Sequence, residues 1–183
     1  MIRVKQNTLR AAGFSAVEIM LTLAIMAILS AFAIPSLSEA MRDMQLLSDA
    51  RNVSSALTYA RQKAKSMMTP YRLEFDLENN RWSLQRYDGS AWEVEQDVNQ
   101  LSNGLAGSGT AFKETSESSP IASLTDSSTH ITFNSRGIPV DGTTPSSDNI
   151  VFISKSDTDY AITVTLPGKV QIWRKNGEEW DAI

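Results

Sequence analysis

The chain opens with a short polar segment and continues into a long apolar block. No charged residue lies between Ile19 and Ser38, and most residues of this stretch are apolar. A helix rises about 1.5 Å per residue and needs about 20 apolar residues to cross the hydrocarbon core of a bilayer. The pattern therefore predicts a membrane-spanning helix over residues 14–38.

A second apolar pattern follows, in which residues recur at alternating spacings of four and three. Its members are Leu46, Ala50, Val53, Leu57, Ala60, Ala64 and Met67. This spacing places them on one face of a helix, and Pro70 disfavours its continuation. We expect one long helix from Phe14 to about Met68, bent near Pro35, with an amphipathic second half over residues 39–69. The apolar face fits either a coiled coil or a sheet, and its small and β-branched members favour the sheet.

Alternation with a period of two dominates residues 70–183. It predicts strands at 71–77, 81–87, 91–95, 131–133, 150–154, 160–166 and 169–174. Residues 99–128 are rich in Ser, Thr and Gly, which predicts either a mobile excursion or a short strand near Ala111–Lys113, and we expect an exposed loop available to a partner. The expected fold is α+β, with a long N-terminal helix packed on an antiparallel β-sheet domain over residues 70–183.

Glu18 lies inside the apolar block near its start, where a charge is costly in lipid unless it has a partner. A secretory signal peptide would account for the basic leader, and residues 30–33 offer it a small-residue cleavage site, but Glu18 would have no role. A plain membrane anchor explains the length of the block and leaves both Gly13 and Glu18 unexplained. A third interpretation explains all of these features.

The segment GFSAVEIMLTLAIMAILSAFAIPSL closely resembles the class III signal of type IV pilins and type II secretion pseudopilins. The resemblance implies that residues 1–13 are a prepilin leader, that a prepilin peptidase/methyltransferase cuts after Gly13, and that Phe14 is then N-methylated. Pro35 falls where many members have a helix-kinking proline. In a filament, Glu18 of one subunit would face the Phe14 amine of its neighbour, so that each buried charge gains a partner. The alternative is that Glu18 merely reaches the lipid headgroup region near the start of the helix.

The segments ITFNSRGIP and YAITVTLPGKVQIW are similar to the C-terminal half of the H-type pseudopilins and the FimT-type minor pilins. The chain thus resembles the type IV pilin-like GspH/FimT family. The resemblance implies a minor pseudopilin of a type II secretion system, or alternatively a minor pilin of a type IV pilus that aids assembly or DNA uptake. Its partners would be other pseudopilins or pilins, which it contacts through the N-terminal helix.

The basic leader also predicts the topology of the chain. Arg3, Lys5 and Arg10 precede the apolar block without any acidic residue, which favours a cytoplasmic N-terminus. The protein would span the bacterial inner membrane once and place residues 39–183 in the periplasm. Incorporation into a pseudopilus or pilus would follow.

Composition argues against most other functions. The chain carries a net charge of −4, and removal of the leader would leave 14 basic and 21 acidic side chains, net −7, which does not favour a general polyanion binder. It has no cysteine and one histidine, His130, so a Ser-His-Asp triad would depend on His130 alone and a Cys-His pair cannot form. A membrane-anchored enzyme is therefore not expected. We predict no enzymatic activity, cofactor or metal, and a surface position for His130.

Three weaker patterns resemble ligand sites but are also typical of solvated surface residues. The pairs Asp141/Asp148 and Asp157/Asp159 lack the spacing of a calcium loop and are expected to be solvated turn acids. The glycines Gly104, Gly107 and Gly109 neither follow a strand nor open a helix, which argues against a phosphate loop.

The third pattern concerns nucleic acid. Three basic residues flank Trp173: Lys169, Arg174 and Lys175. Such a combination of cations and an aromatic ring can bind a nucleic-acid strand. The acidic residues that follow oppose it; they are Glu178, Glu179 and Asp181. The sequence therefore does not favour nucleic-acid binding.

Overall fold

A computed structural model describes residues 14–95, 99–102, 110–121, 124–155 and 158–183, with the backbone alone for residues 32–39. The chain divides into two compact units, Met1–Ala40 and Met41–Ile183. One helix, α1 (Ala16–Met67), contributes to both units. Pro35 lies within this helix with its side chain outside the described atoms, so the bend expected there stays a prediction.

The helix ends where the sequence predicted. Met68 adopts a left-handed conformation (φ 54°), which terminates α1 one residue before Thr69 and Pro70 lead into the first strand. Six members of the apolar face, from Leu46 to Ala64, are fully buried. The seventh member, Met67, was predicted to be buried, and this prediction is wrong. Its side chain is 55% exposed because Met67 is the last residue of the helix.

Twelve strands are found among the described residues. They are β1 Tyr71–Asp76, β2 Arg81–Tyr87, β3 Trp92–Val94, β4 Asn99–Gln100, β5 Ala111–Lys113, β6 His130–Phe133, β7 Pro139–Asp141, β8 Thr144–Pro145, β9 Asn149–Lys155, β10 Thr158–Val164, β11 Val170–Asn176 and β12 Glu179–Ala182. The first sheet has the order β3-β2-β1-β6-β7-β8, with β4 beside β2, and the second has the order β12-β11-β10-β9-β5. All pairings are antiparallel, as predicted, and the predicted β domain consists of two sheets.

The main core lies between α1 and both sheets. The buried face of α1 meets Leu73 and Phe133 of the first sheet and Ile153 and Ile162 of the second. This contact decides between the two partners that the sequence allowed for the helix face, because sheets rather than a second helix cover it. A smaller cluster of Ile150, Phe152 and Ala161 lies apart from it, covered by Leu124, Trp173 and Trp180.

The described parts of residues 99–128 correct one prediction. They are not simply an exposed loop: Leu101 and Phe112 are buried, and Phe112 meets Phe75 edge-on with ring centroids 5.5 Å apart. The alternative of a short strand at Ala111–Lys113 is confirmed as β5. Phe112 is buried because β5 pairs with β9 of the second sheet, whereas Leu101 directly follows β4, which pairs with β2 of the first sheet. Residues 103–109 and 122–123 lie outside the described part.

The buried helix face provides a first test by mutation. In a fragment lacking residues 1–38, Leu57→Ala should lower the free energy of unfolding by about 2–5 kcal/mol, because it leaves a cavity against both sheets. Chemical denaturation measures the change, and Thr58→Ala, on an exposed neighbour, serves as control. Unfolding of Leu57→Ala at the same midpoint as the unmutated fragment would contradict this packing.

Candidate functional site

The N-terminal candidates lie at the beginning of α1. Ser15 caps the helix: its side-chain oxygen accepts a hydrogen bond from the Val17 amide (3.4 Å) and its carbonyl accepts one from the Glu18 amide (3.0 Å). Phe14 precedes the helix with 80% of its surface exposed. Gly13, the predicted processing residue, lies outside the described residues.

Glu18 occupies the first turn of α1 with an exposed side chain. A carboxylate is favourable there, because the helix dipole places partial positive charge at the N-terminus. Among the residues that the structure describes, Glu18 forms no ion pair.

The helix after Glu18 exposes apolar side chains along its length. These are Ile19, Met20, Leu21, Leu23, Ile25, Met26, Ile28 and Leu29. Over the residues whose side chains are described, no helical stretch is both long enough and apolar enough to cross a membrane.

The C-terminal candidates are distributed over both faces of β11. The Trp173 ring covers the smaller core cluster, and its indole nitrogen donates a hydrogen bond to the Thr163 hydroxyl at 2.9 Å. Arg174 points to the opposite face of the strand and pairs with Asp43 of α1 at 3.5 Å. Lys175 follows on the face of Trp173, opposite Trp180 in the strand register. Lys169 is exposed at the turn before β11.

This arrangement does not build a basic patch. Trp173 is held in the fold, Arg174 has a carboxylate partner, and the strand beside them carries acids.

We therefore expect the fragment lacking residues 1–38 to bind double-stranded DNA weakly or not at all near physiological salt, because few phosphates would be neutralised. Fluorescence anisotropy at two salt concentrations measures this. Micromolar affinity that falls steeply with salt and disappears in Arg174→Ala/Lys175→Ala would contradict it.

The remaining candidates take separate positions. His130 is exposed, as predicted, and lies near Asp141 and Asp148 around a shallow hollow. Across the described part of the chain, no three His, Cys, Asp or Glu side chains form a group suited to a metal ion. Asp157 lies outside this part, as do the glycines Gly104, Gly107 and Gly109.

The expectation that Asp159 is a solvated acid in a turn is wrong. It lies within β10, is largely buried, and pairs with Lys113 of β5 at 3.0 Å. The reason is topological: β5 and β10 both pair with β9, which brings a cation from the Ser/Thr-rich segment next to Asp159.

Sequence reasoning missed a contact that Arg61 makes with two turns. The Arg61 Nε donates to the Gly137 carbonyl oxygen (3.0 Å), and one terminal nitrogen donates to the Pro167 carbonyl oxygen (2.5 Å). A Cβ on Gly168 would lie only 2.9 Å from the Gly137 carbonyl oxygen, which is too close for any residue other than glycine. Both Gly137 and Gly168 also have positive φ, a backbone conformation that favours glycine. Arg61 thereby ties one turn from each sheet to α1. The turn glycines were visible in the sequence, whereas their partner lies more than 70 residues away.

A second polar contact joins the end of α1 to the first sheet. The Lys63 ammonium lies 3.0 Å from the Glu95 carboxylate, and this contact raises the pKa of Lys63. Burial raises the pKa of Tyr71 to about 12, with a further contribution from Glu95, although the Tyr71 hydroxyl makes no hydrogen bond of standard geometry. Burial alone would raise the pKa of Glu95, but Tyr71 and Lys63 outweigh it and lower that pKa.

Comparison with known proteins places the chain in a family. Residues 49–168, about two thirds of the chain, match the family model described as "Type II transport protein GspH". The chain therefore belongs to the GspH family. No curated protein matches it significantly.

Two solved structures share partial similarity with this chain. One is the minor pseudopilin EpsH from the type II secretion system of Vibrio cholerae, with 12% identity and a TM-score of 0.49 over 70% of this chain and 95% of that one. The other is the type IV minor pilin FimU of Pseudomonas aeruginosa, with 18% identity and a TM-score of 0.48 over 74% of this chain and 92% of that one.

Proposed function

We propose that this member of the GspH family is a minor pseudopilin, a structural subunit of the periplasmic pseudopilus of a type II secretion system. The observation that carries the proposal is the extent of the family match. Residues 49–168 include most of the buried helix face and most strands of both sheets, so the match spans most of the packed framework rather than a short motif. Its role is structural and not enzymatic.

The N-terminal segment has a separate role in this proposal. The precursor inserts into the inner membrane with its basic leader in the cytoplasm, and the prepilin peptidase cuts between Gly13 and Phe14 and methylates the new amine. Support comes from the sequence GFSAVE and from the position of Phe14, which precedes the capped start of α1. The helix then holds the subunit in the membrane and among other pseudopilins.

Glu18 provides the contact between neighbouring subunits. The Phe14 amine of one subunit and the Glu18 carboxylate of the next neutralise each other within the apolar helix bundle, so an unpaired subunit carries a cost that assembly removes. Support comes from the exposed carboxylate in the first helical turn and from the apolar residues that follow it.

The alternative is a minor pilin of a type IV pilus, whose N-terminal signal is of the same kind. Deletion of the gene separates the two functions. We expect the deletion strain to lose secretion of type II substrates, to regain it with the wild-type gene, and to keep its pili and twitching motility. Loss of piliation or DNA uptake with secretion intact would support the alternative. Secretion ATPase and secretin genes beside this gene would agree with the first outcome.

A further inference from the structure

Four cations meet where the last turns of α1 lie beside one turn of each sheet. Gly137 of the β6–β7 turn and Gly168 of the β10–β11 turn are both buried, and the helix side chains lie directly against them. A Cβ on Gly137 would be 2.9 Å from the Cγ of Lys65 and 3.1 Å from the Cγ of Arg61. Together with the exposed cation next to each glycine, these two form the cation cluster: Arg61, Lys65, Arg136 and Lys169.

The cation cluster lacks compensating carboxylates. Among the residues that the structure describes, none of its four members forms an ion pair. The carboxylates toward the same end of the first sheet are engaged elsewhere: two pair with Arg86 and Lys63, and Asp88 accepts hydrogen bonds from the amides of its own turn. The helix dipole favours Lys65 alone, because its effect is limited to the last turn. The other like charges repel one another, and an acidic partner would remove that cost.

The rest of the domain has the opposite charge. Residues 41–183 contain 14 basic and 19 acidic side chains, so 10 basic and 19 acidic ones remain outside the cluster. The Trp180 indole nitrogen donates to the Ser118 hydroxyl (3.2 Å) and brings residues 114–121 beside β12, where Lys175 offsets one negative charge. Six exposed carboxylates without an ion pair in the described chain form the acidic face there: Glu114, Glu117, Asp126, Glu178, Glu179 and Asp181.

The two surfaces lie at opposite ends of the second compact unit. Strand β11 begins just after Lys169 and ends at the turn that carries Glu178, and it spans about 20 Å at about 3.4 Å per residue. Asp43 of α1 contacts the acidic end through Arg174, whereas Arg61 lies about 27 Å further along the helix at about 1.5 Å per residue. A shift of one copy along the helix direction therefore brings the acidic face of that copy to the cation cluster of the next.

We propose that the cation cluster of one copy binds the acidic face of a second copy, head to tail. A contact between two different surfaces of identical subunits repeats into an open filament. This inference rests on the proposed function, which supplies a filament of subunits displaced along their helices. A nucleic acid fits less well, because a long polyanion would extend from four cations onto a domain with an excess of acids.

The test uses cysteine crosslinking of full chains in native membranes, since the chain has no cysteine of its own. One tagged copy carries Ser135→Cys, beside the cation cluster, and a second, differently tagged copy carries Ala182→Cys, in β12. A short bismaleimide should link the two different copies and leave copies with the same cysteine largely unlinked. Head-to-tail packing brings position 135 to position 182, whereas a two-fold symmetric contact would bring identical positions together.

Charge reversal tests whether ionic contacts hold the copies together. Arg136→Glu/Lys169→Glu on the first copy should lower the mixed crosslink about tenfold or more, because like charges then face each other. Glu178→Lys/Glu179→Lys on the second copy should do the same, and the two reversed copies together should recover the crosslink. Arg51→Glu/Arg81→Glu on the first copy makes the same change of charge at exposed cations outside the cluster and should crosslink as the wild type does.

Four outcomes would overturn the head-to-tail contact. They are the absence of the mixed crosslink, equal linking of identical cysteines, a mixed crosslink that survives charge reversal, and reversed copies that fail to recover it. Crosslinks to a different pilin-like subunit in place of the second copy would count as the first of these. Restored secretion by the same cysteine variants in the deletion strain shows that the proposed function stands even where the contact fails.

Discussion

A precursor carrying Gly13→Arg is expected to accumulate uncut in the membrane fraction. In the proposed processing, the peptidase must bring the bond between Gly13 and Phe14 into its active site, and a long cationic side chain adds bulk and charge beside that bond. The expected effect is loss of essentially all mature protein. Immunoblots separate precursor from mature chain, and Ala12→Ser, which keeps the Gly13-Phe14 bond, should be processed normally.

Two results of that experiment would refute the prepilin interpretation. Normal processing of Gly13→Arg would show that the glycine is not recognised. A mature chain beginning at Ile34, after Ala33, would show that an ordinary signal peptidase acts on the small residues inside the apolar block.

Glu18→Ala should leave the protein in the membrane and largely abolish its incorporation into the filament. The substitution removes a carboxylate that is exposed and without an ion pair in the described chain, so the fold of the subunit loses little. In the filament it leaves the neighbouring Phe14 amine unpaired. Breaking a buried charge pair costs about 3–5 kcal/mol, which corresponds to a decrease of at least about a hundredfold in association.

Crosslinking to the other pilin-like subunits measures this decrease, with total membrane-bound protein as the reference. Glu78→Ala removes an exposed carboxylate in the turn between β1 and β2 and should crosslink as the wild type does. Undiminished crosslinking and secretion in Glu18→Ala would disprove the pairing of Glu18 with the amine.

Periodic patterns in the sequence predicted the larger elements. The buried face of α1 and strands such as Arg81–Tyr87 follow from local spacing alone, because one covered face imposes a regular alternation. Four short strands were not predicted: β4, β7, β8 and β12. Each has two to four residues, too few for a repeat, and β7 and β8 contain prolines that disfavour a strand assignment.

Long-range partners could not be read from the sequence. The pair of Asp159 with Lys113 and the contact of Arg61 with Gly137 depend on which strands become neighbours. The cation cluster combines Arg61 of α1 with Lys169 of a turn for the same reason. Local spacing determines which face of an element is apolar, whereas the pairing order of the strands determines what that face and its neighbours contact.

The N-terminus of the wild-type protein, isolated from its native membranes, tests the central claim most directly. Intact mass together with N-terminal sequencing should identify a chain that starts at N-methylated Phe14 and extends through the C-terminal residues. A chain that retains residues 1–13, or one that begins at Ile34, would contradict the assignment as a prepilin peptidase substrate and with it the proposed place in a pseudopilus.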